Sequence, residues 1–496
     1  MDPETATRRR VLETLGAAGV VGLAGCSGGG DGTDTETEGD GGGGDGGGDG
    51  GGGDGGGDGG GDGGGSTDQS VSGTVTIGML QPTTGALQPY GNQALAGFYS
   101  ALGYKSDPAN IPGADGLADD PTIEVGDVTY DILVRDSQND PGEAQSLAGD
   151  LVRNEGVDML AGVTNSAGAQ TVAGDIAGPS QTPYMAGPAA TVNLTADSQF
   201  CNPQTFRASE DVAMDAFSGG QYIANETDIS SVYIYYANYS FGQSVNQYYT
   251  SVLEDNGVSV EGRTALPPGY AEDWPGQFQK AVDAGVDAII GGFTVSTLPD
   301  MVGTFVRNND QYDFAFAGGY TTRVGAALVG ATIAQTLDGQ LTQEALDGLN
   351  FGPFTTRYHW NQYDNEVNDG LIDIHTDKYG YYPDLFTSGM FTGASAIHEA
   401  AQAAGSTNPQ DIRDQLSGLT VTDTPKGDGA YTFQEYNNQA RSPMTVSDPM
   451  PTTAEAGEFW QFQGNPVPFM PSSPTRTFDK DQTTLKADAE TMNCSL

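Results

Sequence analysis

The chain has 496 residues, which is enough for two or three domains, and its 66 acidic and 19 basic residues give a net charge of −47. Nucleic acid is excluded as a partner, since a polyanion would be repelled and no basic stripe is visible. The acidity extends along the whole chain, because residues 71–496 keep 52 acidic and 16 basic residues. Concentrated salt screens the self-repulsion of such a chain. The composition therefore predicts a protein that stays soluble in brine.

Residues 1–25 have the organisation of an export signal. Thr7-Arg8-Arg9-Arg10-Val11-Leu12 resembles the twin-arginine signal, with Thr and Val in the usual Ser and Phe places. The apolar run from Leu15 to Leu23 is too short to span a bilayer. Leu23-Ala24-Gly25-Cys26 then matches the lipobox of exported lipoproteins. We expect export in a folded state, cleavage before Cys26, and lipidation of Cys26, which would anchor the protein to the outer face of the cell membrane.

Residues 26–70 are predicted to be a disordered tether. Of the residues from 27 to 70, 25 are Gly and 11 are acidic. No hydrophobic core can be built from this composition, so it favours a charge-extended linker. The alternative is a calcium-binding β-helix of nonapeptide repeats. That structure requires an apolar position in each repeat, and none occurs here.

From Val71 onward, apolar runs of strand length alternate with helical patterns. The alternation favours a parallel sheet covered by helices on both faces, and its restart at Ser231 predicts two similar lobes. Strands are predicted at residues 75–80, 128–134, 157–162, 182–186, 231–236, 258–261, 287–292 and 314–318, and helices at 94–102, 142–155, 165–176, 241–255, 274–284 and 385–404. Residues 442–496 are Pro-rich and predicted to be irregular.

The stretch from Val157 to Gln170 is typical of a strand, a tight turn and a helix. A turn of this kind presents backbone N–H groups and hydroxyls at a helix N-terminus, where a small anion such as a carboxylate can bind. Asn165 and Ser166 are also favoured helix caps, so capping is the alternative role for both residues.

Several motifs in a fixed order resemble the type I periplasmic binding proteins of branched-chain amino acid ABC importers, the Leu/Ile/Val-binding family. The resemblance covers about residues 73–440. The motifs are Thr74–Gly85, Tyr90-Gly91, Asp136–Ala144, Val157–Ser166, Gly187–Thr195 and Asp287–Phe293. It implies an α/β fold of periplasmic-binding-protein type I, with two Rossmann-like doubly wound lobes joined by a three-strand hinge. Lobe 1 is then expected at 71–207 and 351–440, and lobe 2 at 208–350 and 441–496.

The resemblance also implies a function without covalent chemistry or a cofactor. Such proteins close their lobes around a small polar organic ligand and deliver it to an ABC permease in the membrane. The alternative within binding proteins is a ligand sensor that docks on a membrane receptor. A secreted enzyme is disfavoured, because residues 71–496 contain no G-x-S-x-G, P-loop or other catalytic constellation.

Carried over position by position, the resemblance implies a set of ligand contacts. In lobe 1 the ligand carboxylate would be held by two turns, and Tyr90 would shield the ligand. In lobe 2 an aromatic residue before a glycine and another after Gly291-Gly292 would contact it, with Tyr239 as a neighbour. The implied contacts are Tyr90, Asn165, Ser166, Ala167, Ala190, Thr191, Tyr239, Phe241, Phe293 and Tyr320.

Tyr320 marks a departure from the family pattern. Amino acid binders of the family usually place a glutamate at this position to pair with the ligand ammonium. An enclosed ammonium without acceptors costs several kcal/mol, of which cation–π contacts could offset about 1–2 kcal/mol. The alternatives are therefore a branched-chain or related amino acid, and a ligand without an α-ammonium, such as an amide, urea or an aromatic acid.

The cysteines and histidines indicate a possible disulfide and no metal site. Cys201 and Cys494 remain once Cys26 is lipidated, and an even count outside the cytoplasm permits a disulfide. The alternative is two buried thiols. His359, His375 and His398 lie far apart without ligand spacing, so no metal site is predicted.

Overall fold

A computed structural model of the chain describes residues 71–319, 322–337 and 341–496. The predicted signal peptide, the tether and Cys26 lie outside these residues. The described chain forms mixed α/β structure around two main sheets, which we call the first sheet and the second sheet. The predicted α/β fold class is confirmed.

The first sheet has the strand order β2-β3-β1-β4-β5-β6, and β2 alone among these strands runs antiparallel to its neighbour. Side chains of β3 alternate between buried and partly exposed positions, as the period of a strand requires. The short edge strand β2 was not predicted from the sequence. The strands are β1 (Gly73–Gln81), β2 (Thr122–Val125), β3 (Val128–Asp136), β4 (Met159–Gly162), β5 (Tyr184–Ala186) and β6 (Thr205–Arg207).

The second sheet is parallel and has the order β10-β9-β7-β8. Its strands are β7 (Ser231–Ala237), β8 (Ser259–Leu266), β9 (Ala288–Gly292) and β10 (Ala315–Phe316). The predicted strand at 314–318 is shortened to β10 because Gly318 and Gly319 adopt left-handed φ angles of 73° and 78°. Conversely, β8 runs beyond the predicted 258–261.

Helices cover both faces of the two sheets. The α-helices are Gln88–Tyr104, Pro141–Asp150, Ser166–Thr171, Gly178–Ser180, Asn193–Ala196, Val212–Asp215, Gln221–Glu226, Ser240–Asp255, Trp274–Ala284, Leu298–Arg307, Arg323–Thr336, Gln343–Asp347, Glu366–Tyr379, Leu385–Ala404 and Pro409–Leu416. π-Helical stretches occur at Leu151–Glu155, Val172–Ala177 and Ala216–Gly220, and 3₁₀ turns at Pro108–Asn110, Ala114–Gly116, Asn309–Gln311, Trp360–Gln362 and Ala456–Glu458.

Helices Gln88–Tyr104 and Leu385–Ala404 pack against each other beside the first sheet. Their closest approach is at Gly97, where a Cβ atom would lie 2.2 Å from the carbonyl oxygen of Thr387. A side chain at Gly97 would therefore force the two helices apart. This packing fixes the N-terminal turn of Gln88–Tyr104, which carries Tyr90.

The last part of the chain is more ordered than predicted. Short strands complete it: β11 (Phe354–Thr356), β12 (Thr420–Val421), β13 (Tyr431–Phe433), β14 (Ala440–Arg441), β15 (Met444–Ser447), β16 (Pro449–Pro451), β17 (Gln461–Phe462), β18 (Asn465–Pro466), β19 (Phe469–Pro471) and β20 (Arg476–Phe478). The sheets are β11-β15-β20, β12-β13-β14, β16-β19 and β17-β18. The prediction of an irregular 442–496 was therefore wrong for β15 to β20. Prolines in β16, β18 and β19 restrict their pairing to narrow ribbons.

Three segments connect the hydrophobic core beside the first sheet with the cores beside the second, at residues 206–212, 354–358 and 440–446. A network of buried ion pairs lies at the first two segments, and Ser442 of the third segment donates a hydrogen bond to it at Glu210. The pairs are Arg207–Asp211, Arg357–Asp215 and Lys426–Glu210. All the side chains involved are at most 4% exposed, and the network has no net charge.

Glu210 is the most connected carboxylate of this network. It lies 2.6 Å from the Lys426 ammonium and accepts hydrogen bonds from the hydroxyls of Tyr431 (2.5 Å) and Ser442 (3.0 Å). Burial raises the pKa of Glu210, but the charge and hydrogen bond of Lys426 outweigh this and hold the pKa below its ordinary value. Glu210 is thus an ionised carboxylate inside the protein.

Lys426→Met should destabilise the protein strongly, because it leaves the Glu210 carboxylate buried without its cation. We expect the free energy of unfolding to fall by about 3–5 kcal/mol, measured by urea unfolding at one molar salt concentration. Arg263→Met is the control, since the Arg263–Glu254 pair is largely exposed (38% and 51%). That variant should lose less than about 1 kcal/mol. Equal losses in the two variants would contradict the role assigned to the network.

Cys201 and Cys494 are joined by a disulfide in the structure, with Cα atoms 5.9 Å apart. The neighbouring Asn493 N–H donates to the carbonyl of Ala196 at 2.7 Å, so the end of the chain is held against the segment after β5. We propose that this disulfide forms in the exported protein.

The disulfide predicts that a Cys26→Ser chain exposes no free thiol in denaturant. Titration of two thiols per chain would contradict it. Replacing both Cys201 and Cys494 by Ser should lower the free energy of unfolding by about 2–5 kcal/mol, because the bond closes a long loop. Thermal or urea unfolding with and without reductant measures this difference.

Candidate functional site

A cavity lies at the carboxyl ends of β9 and β10, the edge where open α/β sheets bind ligands. The cavity volume is about 70 Å³. The lining residues are Tyr90, Asp215, Phe241, Val245, Tyr249, Gly291, Gly292, Phe293, Leu298, Val302, Phe316, Gly318, Gly319, Thr322, Gly325, Ala326, Val329, Phe351, Phe354 and Phe469.

One face of helix Ser240–Asp255 forms a wall of this cavity. Phe241, Val245 and Tyr249 follow one another at a spacing of four residues, which places their side chains on one helix face. Tyr249 is positioned further by its hydroxyl, which accepts a hydrogen bond from the N–H of Gly319 at 2.9 Å.

Glycines at the end of β9 allow the aromatic rings to approach the strand. A Cβ atom at Gly291 would lie 3.0 Å from the ring of Phe316, and one at Gly292 would lie 2.8 Å from Val245. Phe293, which follows directly, is 4% exposed and packs edge-on against Trp274 at 5.7 Å between ring centroids.

Tyr90 reaches the cavity from the side of the first sheet. Its ring lies 4.2 Å from that of Phe386 and belongs to a small cluster with Val295, Val324 and Leu385. Tyr90 is 5% exposed. The cavity is therefore bounded by residues from both sides of the molecule.

Asp215 alone among the described lining residues carries a formal charge. Its carboxylate accepts two hydrogen bonds from Arg357, one of them from Nε at 2.9 Å. Burial raises the pKa of Asp215 above its ordinary value, although Arg357 opposes the rise. Asp215 thus connects the cavity to the buried ion network.

The predicted carboxylate turns lie elsewhere. Asn165 caps helix Ser166–Thr171, since its Oδ1 accepts from the N–H of Gly168 at 3.0 Å, and its Nδ2 donates to the carbonyl of Asn139 at 3.1 Å. Asn165, Ser166, Ala167, Ala190 and Thr191 are not among the lining residues of the cavity.

Ser244, on helix Ser240–Asp255, contacts the second of these turns. Its Oγ lies 3.1 Å from the Thr191 hydroxyl and accepts from the N–H of Val192 at 3.2 Å. The N–H of Thr191 donates to Ser166 Oγ at 3.2 Å. In this conformation the Thr191 N–H, the Thr191 hydroxyl and the Val192 N–H are bonded within the protein.

The structure therefore separates the predicted ligand contacts. Tyr90, Phe241 and Phe293 come together in the cavity. Tyr239 is half-buried beside Phe241, at 6.0 Å between ring centroids, but is not a lining residue. Tyr320 lies outside the described residues.

Several lining residues escaped the sequence analysis. Tyr249 could have been found, because it follows Phe241 by eight residues on a predicted helix. Phe316, Phe351 and Phe354 show only ordinary core patterns, and Phe469 lies in a segment predicted to be irregular.

Within the described residues, no cluster of His, Cys, Asp and Glu suited to a metal ion occurs, and no helix is long and apolar enough to cross a membrane.

Comparison with known proteins identifies the family. A family model described as a periplasmic binding protein matches residues 74–448. Leu/Ile/Val-binding protein homolog 1 of Brucella abortus (strain 2308) is 22% identical over 357 residues, covering 72% of this chain and 86% of that protein.

Solved structures show the same fold. The amino acid ABC transporter substrate-binding protein of Pseudomonas fluorescens Pf-5 matches with a TM-score of 0.66 and 18% identity, covering 86% of this chain and 100% of that one. A solute-binding protein of an ABC transporter from Rhodopseudomonas palustris BisB5, in complex with 3,4-dihydroxybenzoic acid, matches with a TM-score of 0.62 and 16% identity, covering 82% and 98%.

The family model covers well over half of the chain, so the chain belongs to the periplasmic binding protein family. Its sequence is similar to that of a Leu/Ile/Val-binding protein homolog, and its fold is that of substrate-binding proteins of ABC transporters. The family is extracytoplasmic, and its members are solute-binding transport proteins rather than enzymes.

Asn165→Ala separates capping from ligand binding. Loss of the cap should lower the free energy of unfolding by about 1 kcal/mol, while Asn238→Ala, at an exposed position, should change it by less than about 0.5 kcal/mol. Urea unfolding measures both. If Asn165→Ala also weakens binding of a ligand that the wild type binds, the predicted carboxylate contact is supported. Unchanged affinity would leave Asn165 a cap alone.

Proposed function

We propose that this protein captures a small organic molecule with an apolar or aromatic body and delivers it to the permease of an ABC importer. The single observation that carries the proposal is the cavity at β9 and β10, lined by phenylalanine and tyrosine rings from both sides of the molecule. Tyr90, Phe241 and Phe293, which were predicted as ligand contacts, are among these rings. The protein performs no covalent chemistry of its own.

The lining favours some of the ligands left open by the sequence. Aromatic and aliphatic groups gain from contact with rings, by burial of apolar area and by offset or edge-on stacking. Urea and small amides would leave most of their hydrogen bonds unmade against such walls, and this costs about 1–3 kcal/mol per group. A branched-chain or aromatic amino acid, or an aromatic acid, therefore fits best.

The relatives support both remaining classes. A curated relative is named a Leu/Ile/Val-binding protein homolog, and a structural neighbour was solved with 3,4-dihydroxybenzoic acid. Asp215 bears on the orientation of either ligand, because a carboxylate next to it would be repelled. We place the apolar part of the ligand against the rings of Phe241 and Phe293, and its carboxylate away from Asp215.

Binding would act through closure of the two lobes. Contacts from both sides stabilise the closed form only when the ligand is present, so the ligand shifts the population toward closure.

We further propose that the protein is exported by the twin-arginine route, is anchored through a lipid on Cys26, and works in brine. The signal-like residues 1–26, the Gly/Asp-rich tether and the net charge of −47 support this.

Ligand binding can be tested by calorimetry and thermal unfolding in molar KCl. The probes are leucine, valine, phenylalanine, benzoate and 4-hydroxybenzoate, with urea as the control compound. A true ligand at a hundred times its Kd should stabilise the protein by about 2.7 kcal/mol. Stabilisation by none of the organic probes would contradict the proposal.

The site itself is tested with matched variants. Phe293→Ala should weaken binding at least about tenfold, or about 1.4 kcal/mol, because it removes a ring from the cavity wall. Phe433→Ala removes a ring that is equally buried but lies in the core beside the first sheet. It should lower the unfolding temperature without changing the affinity of the folded protein.

A further inference from the structure

The segment of residues 459–469, which we call the strap, runs along one side of the cavity. It lies beyond residue 448, where the match to the family model ends. The strap contains the β17–β18 ribbon and enters β19 at Phe469. Its contacts join both sides of the molecule.

One end of the strap is fixed at the loop between helices Glu366–Tyr379 and Leu385–Ala404. The N–H of Tyr382 donates to the carbonyl of Phe459 at 3.0 Å. Trp460 is fully buried, with its ring 4.4 Å from that of Trp360. Its indole N–H donates to the carbonyl of Phe469 at 2.9 Å, so the same tryptophan also fixes the far end of the strap.

The far end supplies a wall of the cavity. Phe469 is 2% exposed and lines the cavity, with its ring 6.2 Å from that of Phe351. It packs directly on helix Arg323–Thr336 at Gly330, where a Cβ atom would lie 3.0 Å from the Phe469 ring. The ring is thus confined between that helix and the indole-bonded backbone.

The middle of the strap contacts the residues around Tyr90. Phe462 packs against the cluster that contains Tyr90 and Phe386. Arg323 donates to the carbonyl of Gln461, and its guanidinium lies 3.7 Å from the ring centroid of Tyr381. The strap is therefore held at both ends and in the middle, which makes Phe469 a rigid boundary.

We propose that the strap determines ligand selectivity, with Phe469 as the residue that limits the length of the bound ligand. The inference rests on the proposed function, because it assumes that the ligand occupies the cavity at β9 and β10. A ligand that extends one ring further would clash with the Phe469 ring, which is confined between Gly330 and the backbone that the Trp460 indole holds. Removing the ring would create that room.

The test compares the affinities of a short and a long probe for the full chain. The probe pairs are benzoate with biphenyl-4-carboxylate, and leucine with tryptophan, measured by calorimetry in molar KCl. In Phe469→Ala the affinity ratio of long to short probe should rise at least about tenfold, the scale on which apolar pockets discriminate size. Phe478→Ala is the control, because Phe478 is a buried ring of the same tail (4% exposed) that does not line the cavity. Its ratio should stay within about twofold of the wild type.

The outcomes separate this inference from the function on which it rests. If the wild type binds a short probe and the ratio in Phe469→Ala is unchanged, the selectivity role is overturned while the binding function stands. If the wild type binds none of the probes, both proposals fail. Should Phe469→Ala not fold, Phe469→Leu decides, since a shorter side chain at the same position should still raise the ratio and an unchanged ratio would again overturn the inference.

Discussion

The buried ion network at the three connecting segments is the constraint on which the rest of the structure depends. Each of its charges has lost its water, and each is compensated by a partner within hydrogen-bonding distance. Such a network tolerates little displacement, because moving one partner leaves an uncompensated charge in a medium of low polarity. The segments between the two sides of the molecule are therefore held in register by electrostatics as well as by the hydrogen bonds of β11 and β15.

The buried ion network is connected to the cavity by Asp215. Asp215 belongs to the network through its ion pair with Arg357, and it also lines the cavity. Its backbone carbonyl lies 3.4 Å from the hydroxyl of Tyr249, another lining residue. Gly319 is tied to the same place, since its carbonyl accepts from the Thr355 N–H at 2.9 Å. Asp215 and Gly319, which line the cavity, are thus bonded to Arg357 and Thr355 of a connecting segment. A change in the orientation of the lobes would therefore also change the shape of the cavity.

The fold could be predicted from the sequence where local patterns and tertiary packing agree. The alternating burial of β3 and the capped helix Trp274–Ala284, which begins after Asp273, are visible as patterns of side chains. Elements stabilised by distant partners could not be predicted. The ribbon of β16 and β19 places Met450 opposite Met470, and nothing local to either residue indicates this pairing.

In the candidate site too, residues with a local sequence pattern could be predicted, whereas residues positioned by distant partners could not. Tyr90, Phe241 and Phe293 lie next to recognisable turns or glycines, and the structure brings them together. Thr191 also follows a recognisable turn, but its environment is set by Ser244 from the opposite side of the molecule, which no local pattern of either segment reveals. The position of Phe469 depends on the hydrogen bond from the Trp460 indole N–H to the Phe469 carbonyl, and no local sequence pattern predicts this bond.

The distribution of charge explains why an apolar cavity suits this chain. Ionic strength screens exposed charges strongly and buried pairs much less, so in the brine that the composition predicts, surface ion pairs would contribute little while the buried network would persist. Recognition of a ligand by exposed charges would weaken in the same way. Burial of apolar surface is not screened, and excluded salts strengthen it. The proposed recognition through aromatic rings would therefore keep its selectivity in salt that screens charge-based recognition.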